Sequence, residues 1–220
     1  MKTGVEIMKA INNKVAGYKG IEVPYTVMLT EDYTKKLVIF LPGAGYTTKS
    51  PLFHFAEEIF LNENYDVLRV NYQYTDKAYD EFTMKELTEA ITHDVRLVIS
   101  EVLKGRNYQQ FYFVGKSLGT IAMGAEMLRP EFSEAKAVWV TPLLNQEQVL
   151  NTMVNSKNQA QCYIGDKDRY YSPGAFELLK TNPNLKSTLL PDINHRLDCE
   201  TDPLKSIDAL KQIIAGIKNF

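Results

Sequence analysis

A chain of 220 residues, 45% hydrophobic and 11% aromatic, can bury a substantial core, and its length fits a single domain over residues 1–220 better than two. Its 25 basic and 27 acidic residues, for a formal net charge of -2, are spread along the chain, which excludes the charge footprint of a nucleic-acid binder or of a protein held on an anionic membrane. Met1–Ala10 has no apolar run suited to a signal peptide, and no stretch is apolar enough to span a bilayer, so a soluble, cytoplasmic protein acting on a small molecule is expected.

The first pattern along the chain is a partial alternation in Tyr18–Thr30, where Ile21, Val23, Tyr25, Val27 and Leu29 recur at every second position. It predicts a strand near a sheet edge, and the first thirty-odd residues read as an antiparallel pair. Leu37–Leu41 (LVIFL) is then a continuous apolar run stopped by Pro42-Gly43-Ala44-Gly45, as in a strand buried on both faces that ends in a loop. Such runs recur at Tyr65–Val70, Phe111–Val114, Ala137–Val140 and Ala160–Ile164, each followed by turn or polar residues and then by helical spacing. The alternation predicts an α/β fold: a mostly parallel central sheet with helices on both faces.

Two helices stand out. Thr83–Lys104 carries Leu87, Ile91, Val95, Val98 and Val102 at helical steps and is stopped by Gly105; its His93 and acidic residues are assigned to the solvated side. Pro203–Ile217 carries Leu204, Ile207, Leu210, Ile213, Ile214 and Ile217, which should close the sheet. Cys162, in an apolar run, and Cys199, in a polar one, form no CxxC motif and predict one buried and one incidental thiol. No repeat or low-complexity linker divides the chain.

The segment richest in chemistry is Gly115-Lys116-Ser117-Leu118-Gly119, set between the strand run Phe111–Val114 and the helical Thr120–Leu128. A strand that turns abruptly into a helix strains its central residue, and glycines on either side remove side chains that would collide. Such a turn presents the Ser117 hydroxyl beside a helix N-terminus, where developing negative charge is favoured; taken as a bare pattern it is also a capped glycine turn. A serine nucleophile needs a base. Of His54, His93 and His195, only His195 sits in a loop after a strand run, Pro191–Arg196, where a parallel sheet gathers its functional groups. The histidine needs an acceptor for its other ring N–H. Asp166 and Asp168 both follow the run ending at Ile164; Asp168 is preferred, because Asp166 directly follows Gly165 and reads as a turn former.

The chain order Ser117, Asp168, His195, with the Leu41–Gly45 loop after a core strand, resembles the α/β-hydrolase family in its compact form without an inserted cap, over nearly the whole chain from Leu37 onward. The resemblance implies a nucleophile elbow at Ser117 and an oxyanion hole made by the backbone N–H groups of Leu118 and Ala44. Pro42 and Lys116 stand where many members of the family carry histidine or, at the second position, an aromatic, so substrate preference is not carried over. Lys116 itself reads as a solvated charge or a partner for a nearby acid. The glycine loop lacks the G-K-[ST] continuation of a phosphate cradle.

Only about twenty residues separate Val140 from Ala160, too few for a large lid. An open cleft walled by Tyr72–Phe82, with Tyr72, Tyr74 and Tyr79, and by Thr141–Asn145 suits a small acyl ester or thioester, hydrolysed through an acyl-enzyme without metal or organic cofactor. Acyl transfer or peptide cleavage on the same residues, or a non-catalytic binding module on the same scaffold, are the alternatives. No feature sets the oligomeric state.

Overall fold

The structure, a computed structural model, describes residues 9–31 and 33–220, so the expectation for Met1–Ala10 falls, over residues 1–8, outside the described residues. The antiparallel pair is β1 (Lys9–Ala16) and β2 (Glu22–Leu29), joined by a tight turn. The chain continues through β3 (Lys36–Leu41), α1 (Pro51–Asn62), β4 (Asp66–Val70), α2 (Met84–Gly105), β5 (Gln110–Lys116) and α3 (Gly119–Glu126). It ends with β6 (Lys136–Val140), α4 (Glu147–Asn155), β7 (Ala160–Lys167), α5 (Pro173–Leu179), β8 (Leu185–Asn194) and α6 (Pro203–Lys218).

Among the described residues, eight strands share one sheet in the order β1-β2-β4-β3-β5-β6-β7-β8. The pairings from β4 through β8 are parallel, and β2 meets β4 antiparallel. The unbroken apolar run of β3 follows from its place: Ile39 faces Leu68 of β4 on one side and Phe113 of β5 on the other. Successive side chains of a strand point to opposite faces. Leu37, Ile39 and Leu41 therefore enter one core with α2 and α3, while Val38 and Phe40 enter the other with α1 and α6. Each such side chain contributes roughly 1.5–3 kcal/mol by leaving water.

Helix α2 begins at a capping box, Thr83 with Glu86, and keeps the predicted stripe. Its acids do not all face solvent, however. Asp94 is fully buried and accepts from the Tyr18 amide and the Tyr74 hydroxyl, both at 2.6 Å, while His93 beside it stays half-exposed. A carboxylate can occupy the buried stripe because these donors replace its water. Helix α6 packs through Ala209, Ile213 and Ile217; Leu204 and Ile207, expected in the core, fall on the adjacent face and are exposed. Both cysteines are free and buried, Cys199 included.

The expected loop Pro191–Arg196 is mostly strand. β8 runs on to Asn194 with a bulge, Gly165 pairing with Leu190 and Lys167 with Asn194, so two steps along β7 span four along β8. Pro191 is tolerated because β8 is an edge strand and needs no ladder N–H on its open side.

Candidate active site

The strand-to-helix turn after β5 holds Ser117 at φ 50°, the left-handed region that costs a non-glycine residue about 1–3 kcal/mol. Its amide is tied to the Val140 carbonyl at the end of β6, at 3.0 Å. The flanking glycines are required by close approach. A Cβ on Gly119 would lie 2.1 Å from the Leu41 carbonyl oxygen, and one on Gly115 would lie 2.8 Å from Met123 Sδ. With no side chain at 119, the first turn of α3 packs directly against the end of β3.

His195 follows the bulged end of β8, and its Nε2 lies 2.7 Å from Ser117 Oγ. Its Nδ1 faces both oxygens of Asp168, at 2.9 and 3.0 Å. Asp168 is almost wholly buried and also accepts the Tyr170 amide at 2.9 Å, while the Tyr170 ring packs edge-on against the imidazole at 4.8 Å between centroids. A carboxylate so placed selects the tautomer with hydrogen on Nδ1, leaving Nε2 free to accept the serine proton. Asp166 acts on the main chain instead, where its Oδ1 accepts the Asp192 amide at 2.8 Å and pins the bulge, with Asp192 at φ 59°. The two neighbouring acids are thus separated by the β7–β8 register, one holding backbone and the other holding the imidazole.

The loop after β3 passes over the serine. A Cβ on Gly43 would lie 3.1 Å from Ser117 Cβ, and the Pro42 carbonyl accepts from the Tyr72 hydroxyl. Ala44 follows, half-buried, and Leu118 is buried at the entry to α3.

No protein-family model matches the chain, and no curated protein matches it. Solved structures do match. A putative α/β hydrolase of unknown function from Agrobacterium tumefaciens is 18% identical over 95% of this chain and 94% of its own, with a TM-score of 0.69. A Xanthomonas campestris α/β serine hydrolase without a lid is 15% identical over 99% of this chain and 95% of its own, also with a TM-score of 0.69. A Pyrococcus furiosus esterase is 16% identical over 93% of this chain and 92% of its own, with a TM-score of 0.66. The chain has the α/β-hydrolase fold.

Within that fold, three expectations change. Lys116 is not solvated: only 2% of it is exposed, its Nζ lies 2.9 Å from the His195 carbonyl oxygen and 3.2 Å from Thr141 Oγ1, and the Tyr46 ring lies 4.7 Å away. Burial lowers its pKa to about 8, against the opposing pull of the Asp168 and Asp198 carboxylates. The signal was the period-two pattern of β5, which sets Lys116 on the face of the buried Tyr112 and Val114. Second, Tyr72, Tyr74 and Tyr79 are buried in the core rather than lining a cleft; Tyr74 packs on both others, at 4.9 and 4.7 Å. The Tyr72 hydroxyl donates to the Pro42 carbonyl and that of Tyr74 to the Asp94 carboxylate. Third, the Tyr170 contact with His195 was not anticipated, since nothing local distinguishes that tyrosine from its neighbour Tyr171. His54 lies on the exposed side of α1, 3.6 Å from Glu58, and His93 is on α2.

Proposed function

We propose that the protein is a serine hydrolase that cleaves small carboxylic esters or thioesters through an acyl-enzyme. In this reading Ser117 Oγ attacks the substrate carbonyl as His195 Nε2 takes its proton, and Asp168 holds the imidazolium that forms. The oxygen that becomes negative is held by the Leu118 and Ala44 N–H groups. The first amides of a helix have no intrahelical acceptor, so α3 offers donors at that place. His195 then gives its proton to the departing alcohol or thiol. Water, deprotonated by the same nitrogen, attacks the acyl carbonyl; Ser117 recovers its proton and the carboxylic acid leaves.

The observation that carries the proposal is the unbroken chain Ser117 Oγ, His195 Nε2, His195 Nδ1, Asp168, every link at 3.0 Å or less. Support for a small, open substrate comes from the segment between β6 and β7, which holds only α4, and from the lidless neighbour of Xanthomonas campestris. The esterase neighbour favours acyl-oxygen chemistry. The test is labelling by a fluorophosphonate together with turnover of chromogenic esters and thioesters of graded acyl length. Wild type should label and turn over; Ser117→Ala should lose labelling and, as for other serine nucleophiles, about 10⁶-fold in kcat. A folded wild-type chain that neither labels nor hydrolyses any member of the series would leave a binding module in place of the enzyme.

A further inference from the structure

We propose that Lys116 is a positioning residue for His195: by donating to the histidine's backbone carbonyl from the residue just before the nucleophile, it sets the imidazole's reach to Ser117. The proposal rests on the hydrolase reading above.

A lysine with 2% exposure would ordinarily be matched by a carboxylate. Here, among the described residues, no carboxylate lies within ion-pair distance of Nζ, and the acceptors are neutral: the His195 carbonyl at 2.9 Å and Thr141 Oγ1 at 3.2 Å. Such a burial costs stability, so its retention calls for a return elsewhere. The return is geometric. His195 lies beyond a bulged edge strand in a turn closed on Asn194, which bonds the main chain of Arg196, Leu197 and Asp198 but not that of His195; among the described residues the His195 carbonyl is held by Lys116. Lys116 is covalently next to Ser117 and hydrogen-bonded to the main chain of His195, so both reacting side chains hang from one short linked unit. The same Nζ reaches Thr141, a β-branched residue at φ 45°, and lies 4.7 Å from the Tyr46 ring in the loop that carries Ala44. One amine thus touches the segments after β3, β6 and β8 while itself ending β5. With its pKa near 8 it is mainly charged at neutrality; the charged and the neutral amine alike have at least two hydrogens for the two oxygen acceptors.

Lys116→Met fills the slot with a side chain of similar length and no donor. We expect kcat on a reference ester to fall about 10- to 100-fold, the scale of a small misplacement of a catalytic group, with KM within about twofold. Fluorophosphonate labelling should slow by the same factor while the melting temperature does not drop, and the low-field His195 Nδ1 proton should shift. The exposed Lys104→Met serves as the control without effect. A folded Lys116→Met with wild-type kcat and labelling rate would overturn the proposal. If that variant fails to fold, the wild-type chain decides: the Lys116 amine protons should be shielded from solvent exchange and coupled to the His195 carbonyl carbon by NMR, and rapid exchange without coupling would overturn the assignment. Wild type inert to ester and probe alike would instead sink the hydrolase reading, and the NMR arm would still test the strut.

Discussion

The two edges of the parallel sheet bury charge in opposite ways. At the amino edge, Asp66 opens β4 with no exposure and is fully matched: it accepts from the Thr30 amide at 2.9 Å, Arg106 at 2.9 Å and the Tyr108 hydroxyl at 2.7 Å. At the carboxyl edge, Asp168 faces a histidine rather than a permanent cation, and Lys116 has only neutral acceptors. Backbone strain is denser at the carboxyl edge without being confined to it. Ser117, Thr141, Asp192 and Leu197 all take positive φ around the ends of β5, β6 and β8, against Asn64 alone just before β4. A matched buried charge serves stability or register. Mismatched charge gathered on strained backbone is what a fold keeps for chemistry.

The largest effect that would break this contrast is at Asp168. Asp168→Asn keeps the shape but can present an N–H to Nδ1, favouring the wrong tautomer, and kcat should fall about 10⁴-fold with the fold intact. Asp166→Asn keeps an oxygen for the Asp192 amide and should cost far less. Ester turnover by both purified variants, normalised to folded protein, checks the ranking, and the reverse order would move the role to Asp166.

That ranking also marks where the sequence was readable. The strand runs, the antiparallel start, the order of the three candidate residues and the absence of room for a lid were all legible, because apolar period and glycine placement are local signals. The sequence could favour Asp168 over Asp166, but not show why: the bulge that gives Asp166 an amide to hold depends on pairing between β7 and β8. For Lys116 the period of β5 signals a buried face, but not the neutral acceptors there, because these come from the segments after β6 and β8, with the Tyr46 ring from the loop after β3. Asp94 was misread for a like reason, since its donors lie 76 and 20 positions away in the chain.

At the amino edge the expectation is inverted. Asp66→Asn replaces a carboxylate that accepts four hydrogen bonds by an amide that must turn donors toward Arg106 or Tyr108. Breaking a buried pair in this way should cost about 3–5 kcal/mol of stability, while kcat per folded molecule stays at the wild-type value. Denaturant unfolding and turnover on the same sample separate the two quantities. Loss of kcat at full folding would show that the amino edge reaches the site.

The smallest effect, and the one most specific to Lys116, lies in the pH dependence of stability. Its pKa is about 8 folded and 10.5 in the ordinary state. Below pH 8 both folded and unfolded chains carry the proton, and the cost of burying the charge is present in full. Between the two values the unfolded chain binds a proton that the folded chain has shed, so stability rises with pH, by about 3 kcal/mol across the whole window. Lys116→Met has no such proton. Its advantage over wild type in urea unfolding should therefore be constant up to about pH 8 and close as the pH approaches 10.5, the other titrating groups cancelling in the difference. Parallel curves for the two proteins through that window would mean that Lys116 keeps an ordinary pKa, and that the carboxyl edge carries no uncompensated charge there.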